Sequence, residues 1–212
     1  MQAKISHSLK LIADGVDKYG DSIGVACSFG KDSIVLAHLA KRINPRIKVF
    51  SVMTPYKFQE TREYKEFITR QFGLNLTTFE ADFIEVPGPT LPEACCDYYK
   101  VEQSKKALRE LGLKAWIAGL RNTEGHTREF LDEIEERDGI TKINPILKWT
   151  EAEVWLYHAI YQIPPHPLYL QGYRSLGCEP CSKPYAETER GGRWTETDKC
   201  GGECGIHSQS LA

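Results

Sequence analysis

The seven cysteines of this 212-residue chain fall into groups whose spacing points to metal ligation and thiol chemistry. Cys95 and Cys96 are adjacent, Cys178 and Cys181 form a CxxC pair, Cys200 and Cys204 lie near the end, and Cys27 stands alone. Two thiols, a long intervening stretch and two more make a four-thiol set, which suits either zinc or an iron–sulfur cube. Structural zinc sites generally draw on cysteine pairs about two to four residues apart, whereas immediate neighbours point in divergent directions and suit separate corners of a larger cluster. Cys95, Cys96, Cys178 and Cys181 are therefore expected to hold a 4Fe-4S cluster. The competing reading keeps Cys95 and Cys96 as buried apolar fillers and the CxxC pair as a redox dithiol. An odd cysteine count in a reducing compartment argues against a disulfide framework.

A second group capable of chemistry follows the apolar run Ser22–Ala26. In Ser28-Phe29-Gly30-Lys31-Asp32-Ser33, a glycine, two hydroxyls and a series of backbone N–H groups precede a helix start. Such a turn can cradle anionic oxygens with its amides and the helix dipole. It is not a Walker A loop: five residues instead of four separate Gly24 from Gly30, and Asp32 stands where Ser or Thr would follow Lys31.

These groups need a scaffold, and the hydrophobic pattern supplies one. Strands are expected at Ser22–Ala26, Ile47–Met53, Leu74–Phe79 and Ala115–Gly119. Helices are expected at Ser33–Lys41, about Glu60–Gln71, about Val101–Leu111 and, after the N-cap Thr150, about Glu151–Tyr161. Alternation of this kind implies an α/β fold, a doubly wound, mostly parallel sheet covered by helices, with ligands at the carboxyl ends of the strands. From Glu187 onward the periodicity fades and glycines accumulate. The expected organisation is an α/β domain over 1–186 that binds nucleotide and cluster, followed by a mobile segment over 187–212.

Bulk properties narrow the partners. Lys plus Arg number 27 against 29 acidic residues, a formal charge of −2, and there is no long basic stretch to track a phosphate backbone, so nucleic acid is not expected. The N-terminus mixes charges into its few apolar residues, and no segment approaches membrane-spanning length, so no membrane association and a cytoplasmic location are expected. Length and charge leave a homo-oligomer open.

Three motifs taken together are specific: Cys95-Cys96, Cys178-Glu179-Pro180-Cys181, and Glu203-Cys204-Gly205-Ile206-His207. With Ala115–Arg121, Ile143–Ile146 and Glu189–Trp194 they resemble bacterial adenylyl-sulfate reductases, the iron–sulfur type of the phosphoadenosine phosphosulfate reductase family. The loop at 28–33 resembles the pyrophosphate-binding (PP-loop) turn of the adenine-nucleotide hydrolase-like superfamily. Its Lys31, like the segment Thr54–Phe58, is closer to the form found in ATP pyrophosphatases and the small subunit of sulfate adenylyltransferase. The resemblance implies that Cys204 attacks the sulfur of adenosine 5′-phosphosulfate (adenylyl sulfate), or of its 3′-phosphorylated form. The nucleotide leaves, and thioredoxin or glutaredoxin then frees sulfite from the S-sulfocysteine. It also implies substrate contacts from Ser28, Phe29, Gly30, Lys31, Asp32, Ser33, Met53, Thr54, Lys100, Arg121, Arg190 and Arg193. His207 either steadies a thiolate or leaving group or is a polar residue in a turn. Cys200 is a resolving thiol or a spare one. The alternatives at this stage are an ATP-splitting nucleotidyltransferase and a non-catalytic iron–sulfur redox sensor. Neither uses all three cysteine motifs for chemistry.

Overall fold

The protein is described by a computed structural model over residues 1–84, 92–195, 205–207 and 211. Among the described residues, six strands form one sheet: β1 (Ile23–Ala26), β2 (Lys48–Met53), β3 (Asn75–Glu80), β4 (Ala115–Ile117), β5 (Ile134–Arg137) and β6 (Ile140–Ile143). Their order is β3-β2-β1-β4-β6-β5, parallel throughout except for β5, which runs antiparallel to β6. The helices are α1 (Gln2–Tyr19), α2 (Lys31–Ile43), α3 (Gln59–Phe72), α4 (Pro92–Cys96), α5 (Glu102–Glu110), α6 (Glu151–Ile160) and α7 (Pro167–Leu170). The doubly wound α/β expectation holds, with the expected strands and helices present to within a few residues.

Period-two alternation divides the sheet between two cores. Val49, Ala115 and Ile117 face a core shared with Ile34, Leu36 and Leu39 of α2, Ile5 and Ile12 of α1, and Val154 and Tyr157 of α6. Phe50 and Trp116, their neighbours in sequence, face a second core with Ala107 and Leu108 of α5. Helix α1 is tied down by a polar contact as well as by its apolar stripe. Ser8 Oγ donates to the Pro145 carbonyl at 2.6 Å and accepts from Trp149 Nε1 at 3.1 Å. Helix α6 begins with a full capping box between Thr150 and Glu153, as the N-cap assignment required.

Strand order reverses between β1 and β4, and in doubly wound sheets a ligand crevice opens at that reversal. Gly119, just past β4, lets the chain there pass close to the first turn of α2: a Cβ would lie 3.2 Å from the Ser33 amide nitrogen and 3.3 Å from the Asp32 carbonyl carbon. The β5–β6 hairpin turns on Asp138-Gly139, both at positive φ (53° and 77°), as a type I′ turn demands. Between α4 and α5 the chain makes a π-helical turn over Asp97–Val101, the kind of irregularity that often re-aims side chains at functional sites.

Within the segment expected to be mobile, residues 187–195 pack into the body. Trp194 is buried, its backbone N–H donates to the Cys181 carbonyl at 3.1 Å, and the Lys183 backbone N–H donates to the Gly192 carbonyl at 2.8 Å. Residues 205–207 form a short 3₁₀ turn, and Ile206 and Leu211 join the second core. Cys200 and Cys204 lie outside the described residues. Among the described residues, no helix is long and apolar enough to cross a membrane.

Candidate active site

Two adjoining pockets open at the carboxyl ends of the strands. The larger is floored by the loop after β1, through Ser28, Gly30, Lys31, Asp32 and Ser33, and walled by Phe50, Val52 and Trp116 from the sheet. Lys57, Lys100, Arg128, Arg190 and Arg193 also line it, so cations ring a pocket whose deep walls are partly aromatic. The closing side is formed by Trp194, Ile206 and His207, whose ring stacks on Trp116 with centroids 5.8 Å apart and planes 7° apart.

Most of the residues singled out from sequence meet here, but not all. Phe29 is wholly buried at a φ of 63°, a left-handed conformation that turns the loop and sends its ring into the core. Met53 is buried and lines neither pocket, and Thr54 lines the second. Arg121 has no exposed surface. Its Nε donates to Asp32 Oδ1 at 2.5 Å, and its terminal nitrogen binds Glu189. Lys31 is 2 % exposed and its ammonium contacts Glu189 at 2.7 Å and the Arg174 carbonyl at 2.9 Å. The first amide of α2 is also partnered: the Lys31 N–H donates to the Tyr169 hydroxyl at 2.8 Å. Glu124, Tyr169 and Glu189 were not legible as site residues. Nothing in their local spacing marks carboxylates or a phenol that fold back beneath a loop 92, 138 and 158 positions away from Lys31 or Asp32.

The smaller pocket gathers Cys95, Cys96, Cys178 and Cys181, with Thr54, Tyr56, Tyr99 and Pro180 as walls. α4 and the π-helical turn deliver the adjacent pair. The loop after β2 fixes the other pair through the Glu179 N–H, which donates to the Tyr56 carbonyl at 2.8 Å. The Thr54 hydroxyl lies 3.1 Å from Cys178 Sγ. Burial opposes ionisation of Cys178, yet Lys100, Lys57 and Thr54 outweigh it and lower that thiol's pKa. For Cys95, burial and then the negative charges of Cys178 and Cys96 push the pKa up to about 11. Cys181 is raised by the same two causes, burial first. Four cysteines line one small pocket, where as thiolates they would repel one another, a donor set whose chemistry suits a bound metal that balances the charge. The residues present fit an iron–sulfur cluster. Lys100, on the last turn of the π-helical segment, lines both pockets.

A family model described as the phosphoadenosine phosphosulfate reductase domain matches residues 22–184. The chain belongs to this family. Among curated members, it is 34% identical over 215 residues to the adenosine 5′-phosphosulfate reductase of Halalkalibacterium halodurans, covering 94% of this chain and 91% of that one. It is 32% identical to the phosphoadenosine 5′-phosphosulfate reductase of Gloeobacter violaceus, over 93% of this chain and 87% of the relative. The crystal structure of the phosphoadenylyl-sulfate reductase of Candida auris, a phosphate complex, superposes with a TM-score of 0.70 at 22% identity, covering 81% of this chain and 88% of that one. That likeness places the reductase family's fold on this chain. The family match takes in the loop at 28–33, all four cysteines of the small pocket, Lys100 and Arg121, and stops before Arg190 and Arg193.

Proposed function

We propose that the protein reduces adenosine 5′-phosphosulfate to sulfite and AMP with a thioredoxin-type dithiol as reductant, and that Cys204 carries the sulfonate between the two half-reactions. The observation that carries this reading is the shared wall: Lys100 stands between a pocket ringed with cations and a pocket of four cysteines. The substrate is an anion at every reacting position, and bidentate guanidinium groups such as Arg190 and Arg193 suit sulfate and phosphate oxygens.

The chemistry balances with thiols alone. The Cys204 thiolate attacks the sulfate sulfur, an S–S bond forms, and the bond from sulfur to the phosphate oxygen breaks, releasing AMP. A reductant thiolate then attacks Cys204 Sγ, sulfite departs with the electron pair of the S–S bond, and the second reductant thiol closes a disulfide. The neighbouring cations serve both steps by favouring the thiolate and by holding charge as it grows on the leaving phosphate. His207 lies three residues from Cys204 and lines the pocket, where an imidazole can steady either group. Cys95, Cys96, Cys178 and Cys181 would hold a 4Fe-4S cluster, which would supply charge next to Lys100, and the two transferred electrons come from the reductant thiols.

The test is an anaerobic purification with iron and sulfide analysis, followed by sulfite release from adenosine 5′-phosphosulfate and its 3′-phosphorylated form. About four irons per chain and sulfite from the unphosphorylated nucleotide are expected. Preference for the phosphorylated form would correct the substrate, and a protein inert toward both would refute the assignment.

A glycine next to the cysteine pocket gives an independent check on Arg193. The guanidinium accepts no hydrogen bond of its own and donates to the carbonyls of Cys181 (3.2 Å) and Leu176 (3.1 Å) and to Ser175 Oγ (3.3 Å) while stacking 4.3 Å above Trp194. Gly177 leaves it room: a Cβ there would overlap Nη2 and lie 2.6 Å from Cζ. Gly177→Ala should therefore displace Arg193 and weaken AMP binding by about tenfold or more, the same direction as Arg193→Ala and the scale of one lost hydrogen bond to a charged group. Calorimetric titration with AMP checks it. Unchanged affinity in Gly177→Ala would separate Arg193 from the ligand.

A further inference from the structure

The loop at 28–33 carries a lysine where a phosphate-binding cation would stand, yet its ammonium is held by carboxylates of the protein. Lys31 Nζ meets Glu189 at 2.7 Å, Asp32 at 3.6 Å and Glu151 at 3.8 Å, and it lies 5.5 Å over the Tyr169 ring. Glu189 also receives Arg121, Asp32 receives Arg121 at 2.5 Å, Glu151 receives Arg174 at 2.6 Å, and Arg128 pairs with Glu124. The ion pairs of this patch thus join four carboxylates to four cations, so the positive charge of Lys31 is neutralised inside the protein. Its partner Glu189 immediately precedes Arg190, and four residues separate Glu189 from Trp194, the segment that closes the large pocket.

We propose that Lys31 is a positioning residue and not a ligand of the substrate anion: with Glu189 it ties the loop after β1 to the segment bearing Arg190 and Arg193, and so sets those arginines at the pocket. Breaking one side of a buried pair leaves an uncompensated charge, which is costly, whereas removing both partners is far less so. The two residues should therefore behave as a coupled unit. Burial disfavours the charged ammonium, but Asp32, Tyr169 and Glu189 more than offset it and raise the Lys31 pKa, so the ammonium is charged at neutral pH, while burial pushes the Glu189 carboxyl up against the pull of Lys31 and Arg121. This departs from the pyrophosphatase-like look of the loop: the lysine reaches a carboxylate 158 positions along the chain.

The inference rests on the reductase reading for the identity of the ligand, but its test does not depend on turnover. The full-length, cluster-loaded protein and its Lys31→Met, Glu189→Gln and double variants are titrated with AMP, and backbone amide exchange is followed over 189–194. Each single variant should weaken AMP by about tenfold or more and speed exchange in that segment, and the double variant should bind no more weakly than the worse single one. If Lys31→Met costs as much in the Glu189→Gln background as in the wild type, or weakens AMP without changing exchange, Lys31 acts on the ligand and the proposal is wrong. A second measurement needs no variant. In the wild type, amine acylation mapped by mass spectrometry should leave Lys31 unmodified both with and without AMP, whereas modification that AMP suppresses would overturn the tether. Failure of the reductase reading would show differently, as no AMP binding and no sulfite from the wild type, with the exchange coupling between Lys31 and Glu189 still measurable.

Discussion

Cys204→Ser should lower thioredoxin-dependent sulfite release by at least about 10³-fold while leaving iron content, absorption spectrum and AMP affinity close to those of the wild type. The magnitude follows from the role: a hydroxyl at neutral pH is not ionised and cannot take the sulfonate, and the pocket's cations cannot replace a missing nucleophile. The pattern matters as much as the size. A residue needed only for folding or cluster binding would take the spectrum and the nucleotide down together. A redox sensor would not need Cys204 for turnover at all. Retention of more than a few per cent of the sulfite rate would remove Cys204 from the chemistry.

The second large effect concerns the four thiols. Replacing Cys95, Cys96, Cys178 or Cys181 singly by serine should reduce iron from about four per chain to below about one, bleach the visible absorption, and lower sulfite release by about 10²-fold or more. The cause is electrostatic and local. Lys100 lines both pockets, so a change of charge among the cysteines alters the cation that faces the substrate. Colourless protein that binds one zinc per chain would replace the cluster by a simpler site. Full activity in a cluster-free variant would show that the four cysteines serve only the fold.

How much of this was legible in the sequence depended on how locally each feature was encoded. Strands β1, β2 and β4 carry runs of apolar residues because they are covered on both faces, and such runs are visible without a structure. The β5–β6 hairpin was missed because Ile134–Arg137 is an edge strand with two glutamates and an arginine and little buried surface, although its Asp-Gly turn was a usable signal. Helix α1 was also passed over. Its buried positions include Ser8 and Gly15, so its apolar stripe is thin, and hydrogen bonds to the loop after β6 do part of the docking.

The site divides in the same way. The four cysteines were legible because adjacent and CxxC spacings are local patterns, and the structure brings all four to one pocket. From sequence, Lys31 and Arg121 are expected as anion ligands because a cation in an anion-binding motif is most simply placed on the anion. Their carboxylate partners are remote: Glu189 lies 68 residues from Arg121, and Asp32 lies 89 residues from it. No periodicity connects residues that meet only when the sheet is assembled. Arg190, Arg193 and His207 were placed by motif resemblance alone, and the structure sets them at the large pocket. The expected boundary at residue 186 falls within packed chain, since Glu189, Arg193 and Trp194 are buried against the body.

The most direct test of the account is to mix stoichiometric anaerobic protein with adenosine 5′-phosphosulfate without any thiol reductant, digest it, and map sulfonate by mass spectrometry. One sulfonate is expected on the peptide containing Cys204, with one AMP released per chain and loss of the adduct as sulfite when reduced thioredoxin is added. AMP release with no sulfonate on Cys204, or sulfonate on another cysteine that thioredoxin clears at the same rate, would contradict it.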